Sequence, residues 1–203
     1  MNSPAAMVAT EVDPTPLVLS LARTLRASAQ APELRELITQ TNGVIALRSV
    51  TDAQSASLTF DGSGVLVSHG LAHGAEQADL LFDPEYTVGE TTDPVGLAAA
   101  QLLSPPLPSW REAAAHFWEV NQGTPGFPGR LVLVCLDEEA EIAFGEGGDV
   151  YEVHGYGPAL SAVLSGQVDH FLYAVAAGAV TVVGSGAHMS AMCGAHWKVR
   201  FGG

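Results

Sequence analysis

The stretch that most restricts how this chain can fold is residues 157–201, GPALSAVLSGQVDHFLYAVAAGAVTVVGSGAHMSAMCGAHWKVRF. A short apolar helix is predicted up to Leu164-Ser165-Gly166, and a second runs through Phe171, Leu172, Ala174 and Val175 to Gly178. Residues 179–183 then read as a strand, because valine and threonine favour the pleated surface, and Gly184 ends it. Gly166 and Gly178 act as helix stops, where a residue without Cβ can turn left-handed. A helix-like tail follows, in which Ala187, Ser190, Ala191, Gly194 and Ala195 allow close packing, and Trp197, Val199 and Phe201 alternate as a short terminal strand or extended segment. These glycines define a shape and carry no reaction.

Upstream, residues 1–13 are small and polar and are expected to be disordered. Asp13-Pro14-Thr15-Pro16 opens a helix, since proline is tolerated in a first turn. Leu17, Leu21 and Leu25 mark its apolar face as far as Gln30. Pro32 separates it from a second helix over 33–40, with Leu34, Leu37 and Ile38 on one side and Asn42-Gly43 as its stop. Strands are predicted over 44–50, 57–60, 65–68 and 78–82, with Asp61-Gly62-Ser63-Gly64 as a hairpin turn and 70–76 as a loop. A helical stretch over 96–103 leads to the break at Ser104-Pro105-Pro106-Leu107-Pro108. Ser109 and Glu112 have capping-box spacing, and Trp110, Ala114, Phe117 and Val120 form the apolar face of a helix over 109–121. Beyond a glycine- and proline-rich loop, strands are predicted over 130–136, 140–144 and 149–154, joined by turns at 137–139 and 145–148. The first is apolar on both faces.

The order of elements in 14–82 and 130–201, with Leu160, Leu164-Ser165-Gly166 and the Gly178–Gly184 spacing, resembles the sterol carrier protein 2 (SCP2) lipid-binding family in its bacterial type. Residues 83–130 interrupt that likeness. Two arrangements fit: a single domain over 14–201 with a long insertion, or two pseudo-repeats, 14–103 and 109–201, sharing one extended sheet. The fold class expected is α+β, and the resemblance implies a mainly antiparallel twisted sheet with helices on one face. The resemblance implies that sheet and helices enclose an apolar cavity.

Acidic residues number 22 against 8 basic, and the formal charge of −14 repels phosphate backbones and anionic membranes, so no nucleic-acid partner is expected. No apolar run reaches the roughly 18 residues of a membrane span, so no stable membrane insertion is expected. The first residues lack a basic stretch followed by an apolar core, so no signal peptide is expected, and Cys135 and Cys193 suit a reduced, cytoplasmic setting.

Chemistry-bearing motifs are sparse. There is no nucleophile elbow, phosphate loop or Cys-x-x-Cys pair, and Gly145–Gly148, between two predicted strands, reads as a hairpin turn. His188, Cys193 and His196 fit one ion poorly, because eight positions put the two imidazoles about 80° apart around a helix. His69 and His73 fall in a loop, and His116 lies off the apolar stripe of its helix. Asp169 caps the helix that follows, with His170 on the surface; as a pair they are the alternative acid–base candidates. Glu152 and His154 share one strand face, opposite Tyr151 and Val153. No catalytic residue, metal or cofactor is assigned.

The function that the SCP2 resemblance implies is the binding or carriage of a hydrophobic small molecule (lipid, fatty acyl or sterol-like). Leu160, Val163, Leu164, Phe171, Leu172, Val175 and Met189 are the candidates to line the cavity, and His154, His170 and Tyr173 to meet a polar head. The alternatives are an enzyme acting on an apolar intermediate held there, and an interaction module without ligand, dimeric through a sheet edge or the helix carrying Trp110 and Trp118.

Overall fold

The computed structural model describes residues 7–82, 86–168 and 170–201. The chain divides into two compact units, residues 1–106 and 107–203. Each is α+β, with its own mixed sheet and its own apolar core.

Unit 1 begins with β1 (Val8–Thr10), which pairs in parallel with β4 (Val65–His69); part of the segment expected to be disordered is therefore a strand, while residues 1–6 lie outside the described residues. Helix α1 (Pro16–Ser28) starts at Thr15, whose hydroxyl accepts the Val18 N–H, and α2 (Pro32–Gln40) follows. Asn42-Gly43 is not a helix stop. Thr41 leaves α2 already extended, and both residues open β2 (Asn42–Ser49). Strand β3 (Ser55–Asp61) pairs antiparallel with β2 and turns into β4 at Asp61, whose carboxylate accepts the Ser63 and Gly64 N–H groups at 2.8 and 3.0 Å. The chain does not continue as a simple meander. Strand β5 (Glu76–Phe82) crosses to the other side of β2 and pairs with it in parallel. Strand β6 (Tyr86–Val88), absent from the sequence reading, and α3 (Pro94–Leu102) complete the unit. The sheet order is β1-β4-β3-β2-β5-β6. Ile45, Leu47, Ala56, Leu58, Phe60, Val65, Val67 and Leu80 point into the core under the helices. Arg48 and Asp79 pair at 2.8 Å on exposed positions of neighbouring strands.

Unit 2 begins with α4 (Trp110–Asn121), whose capping box is present: Ser109 Oγ accepts the Glu112 N–H, and the Glu112 carboxylate accepts the Ser109 N–H. Strands β7 (Arg130–Cys135) and β8 (Ala140–Phe144) form a hairpin. Strand β9 (Val150–Gly155) pairs with β7 in parallel, so Gly145–Gly148 is a crossover and not a hairpin turn. Helices α5 (Gly157–Leu164) and α6 (Phe171–Ala176) lead to β10 (Val180–Val183) and α7 (Gly186–Arg200), in the sheet order β10-β9-β7-β8. The terminal strand expected at Trp197, Val199 and Phe201 is the last turn of α7. Trp197 and Phe201 stand one turn apart with ring centres 5.1 Å from each other, an i,i+4 pair that also satisfies an alternating pattern.

The two sheets share a four-strand arrangement, although α5 and α6 come between β9 and β10 whereas β6 is the next element after β5. The order β3-β2-β5-β6 has the same strand senses as β8-β7-β9-β10, antiparallel, parallel and antiparallel in turn. Registers agree as well: Leu47↔Ala56, Ile45↔Leu58 and Gly43↔Phe60 correspond to Cys135↔Ala140, Leu133↔Ile142 and Leu131↔Phe144. The strands form two sheets and not one extended sheet, and β4 and β1 have no counterpart beyond β8 among the described residues.

Candidate functional site

The sequence candidates separate into three groups. Leu160, Val163 and Leu164 on α5 and Phe171 on α6 have no exposed surface and join Phe117, Tyr151 and Met192 in the core of unit 2. Val175 and Met189 are half-buried against that core, and the Met189 sulfur accepts the Tyr151 hydroxyl at 3.4 Å. Leu172 and Tyr173 turn outward, 51% and 47% exposed, because a six-residue helix cannot bury adjacent positions on one side. Six of the seven apolar candidates therefore meet in or against one core, and Leu172 lies outside it.

The polar candidates are apart. His154 Nε2 lies 3.0 Å from Glu152 Oε2 on the face of β9 opposite Tyr151 and Val153, a partly exposed surface pair. His170 is itself the N-cap of α6: Nδ1 accepts the Tyr173 N–H at 2.9 Å, which places that nitrogen as an unprotonated acceptor. Asp169, expected in that role, lies outside the described residues. On α7, His196 is fully buried with Nδ1 2.9 Å from the Val163 carbonyl, whereas His188 approaches Asp149 at 3.6 Å. No group of three or more His, Cys, Asp or Glu among the described residues is placed to hold a metal ion. His69 pairs with Glu11 at 2.7 Å on the surface.

One polar knot was not singled out by the sequence reading. The Cys135 thiol donates to Asp137 Oδ1 at 3.1 Å, and the same oxygen accepts the Gly157 N–H at the start of α5 at 2.8 Å. Burial, reinforced by the Asp137 carboxylate, pushes the thiol above its usual pKa, while the thiol and the Gly157 N–H hold Asp137 below the usual carboxylate range. A thiol kept protonated is a poor nucleophile. Asp137 thus works as an anchor that joins the end of β7 to the first turn of α5, where a negative charge favours the helix dipole.

Among the described residues, one open concave surface lies in unit 1. Ala31, Glu33, Leu34, Glu36, Leu37 and Gln40 of α2 and its approach face Gln101, Ser104 and Pro106 across an open groove of about 930 Å³. The sequence placed Leu34, Leu37 and Ile38 on one apolar stripe. Only Ile38 is fully buried; Leu34 and Leu37 remain half-exposed to the groove. Pro105 and Pro106 prevent α3 from continuing as a helix that could close over them. The available signal was this proline pair after an apolar helix, together with two glutamates interleaved with the leucines. The groove offers apolar surface beside the exposed carboxylates of Glu33 and Glu36, the Ser104 hydroxyl and the amides of Gln40 and Gln101, with the Gln40 amide donating to Glu36 at 2.7 Å.

No protein-family model, no curated protein and no solved structure matches this chain.

Proposed function

We propose that this chain is a binding protein for a hydrophobic small molecule that carries a cationic group, held in the α2–α3 groove. The observation that supports this most is the juxtaposition of Leu34 and Leu37 with Glu33 and Glu36 on one short helix, facing Pro106. The ligand class expected from the sequence, an apolar small molecule, is kept; its place moves from the interior of unit 2 to the groove of unit 1. The acidic rim disfavours a fatty-acid carboxylate, since like charges repel at close range. An alkyl chain burying about 200–300 Å² contributes about 5–8 kcal/mol, from which the cost of immobilisation is subtracted, so dissociation constants in the micromolar to millimolar range are expected. The ionic part should weaken as salt is raised.

Calorimetric titration with dodecylammonium and with dodecanoate, each below its micellar concentration, tests this. The cation is expected to bind at least tenfold more tightly. Glu33→Lys combined with Glu36→Lys should reverse that order. Glu138→Lys combined with Glu139→Lys changes net charge equally in unit 2 and should leave it intact. Equal binding of both probes, or indifference to the groove reversal, would refute the reading.

A further inference from the structure

We propose that the outer edge of β8 is a docking site for an extended, basic segment of a partner protein, which adds as an antiparallel strand in the position that β4 occupies in unit 1. The shared strand arrangement carries this, independently of the groove. Ala56, Leu58 and Phe60 of β3 correspond by register to Ala140, Ile142 and Phe144 of β8. In unit 1 those side chains are 0%, 0% and 2% exposed, with Val65 and Val67 of β4 alongside them in the same core. In unit 2 all three counterparts are only half-buried, and among the described residues no strand pairs with β8 on its outer side. The edge therefore combines unpaired backbone groups with a half-finished apolar rim, the two features that strand addition uses.

Charge selects the occupant. Glu138, Glu139, Glu141 and Glu146 are all exposed on or beside β8; Glu138 is paired with Arg111, and Arg130 is the exposed base at the far end of β7. A second copy is disfavoured. Each copy carries a formal charge of −14, and antiparallel pairing centred on Ile142 would bring the 138–139 turn of one copy beside Glu146 of the other. A basic strand meets no such repulsion. The β3–β4 register also dictates its pattern. Positions across from Phe144 and Ile142 correspond to Val65 and Val67 and should be apolar, and the position across from Glu141 corresponds to Ser68 and should be lysine or arginine.

The test uses the full chain and a capped peptide, Lys-Val-Thr-Val-Lys-Val-Lys, with amide hydrogen exchange as the readout. At saturation, exchange over 140–144 should slow at least tenfold, with affinity falling as salt is raised. Glu141→Lys, an exposed substitution, should weaken this peptide at least tenfold and favour a version with glutamate in place of lysine. The same peptide N-methylated at alternate residues should not bind. Protection elsewhere but not at β8, binding that survives N-methylation, or protection of β8 in a peptide-free dimer would each overturn the proposal.

Discussion

Phe171→Ala should lower the stability of unit 2 by about 3–5 kcal/mol, the range for truncating a fully buried phenylalanine in a core that cannot collapse around the void. Phe171 has no exposed surface and belongs to the same cluster as Phe117, Tyr151, Leu160 and Leu164, contributed by α4, β9 and α5. The neighbouring Leu172→Ala is the internal control: at 51% exposure it should change stability by no more than about 0.5 kcal/mol. Urea denaturation followed by circular dichroism measures both. The contrast bears directly on the interior site expected from the sequence. If Phe171 lined a ligand space, its truncation would enlarge that space at little cost, and the two variants would lie close together.

Gly145→Ala should cost about 2–4 kcal/mol. Its φ of +77° is strained for any residue with a Cβ, and that Cβ would overlap the Gly129 carbonyl oxygen and lie 2.7 Å from the Trp118 ring. Trp118 cannot easily yield, because it stacks on Phe144 at 5.9 Å and packs at a tilt against Phe127 at 5.7 Å. Gly148→Ala, three residues along the same crossover, meets nothing within 4 Å and should be near neutral. Thermal unfolding of the two variants separates them, and a loss at Gly148 equal to that at Gly145 would contradict this account of the crossover.

Local chemistry made most elements legible. The prolines at the start of α1, the Ser109–Glu112 capping box and the Asp61-Gly62 turn each act within a few residues, so sequence spacing reveals them, whereas Pro32 and Pro94 open α2 and α3 and were not read as helix starts. The parallel pairings of β2 with β5 and of β7 with β9 depend on contacts between residues far apart in the chain, and alternation alone gives a strand no partner. Strand β1 is three residues long and held by β4, so no local pattern announces it. The possible repeat was legible only as an order of elements, a helix followed by strands in 14–103 and again in 109–201; the alignment of Ala56-x-Leu58-x-Phe60 with Ala140-x-Ile142-x-Phe144 needs the strand registers. The groove was hidden because Leu34 and Leu37 have the spacing of a core stripe. Only the path of residues 101–106 determines that they are left half-covered. Conversely, Leu160, Val163, Leu164 and Phe171 have the composition of a lipid pocket and the burial of an ordinary core, which sequence cannot distinguish.

The claim that a ligand binds between α2 and α3 is tested most directly by mapping backbone amide chemical shifts during titration with dodecylammonium. Saturable shifts are expected at residues 31–40 and 101–106, with 157–176 and 186–200 unmoved. Shifts centred on Leu160, Phe171 and Met189 with α2 silent would place the ligand inside unit 2 and contradict the groove.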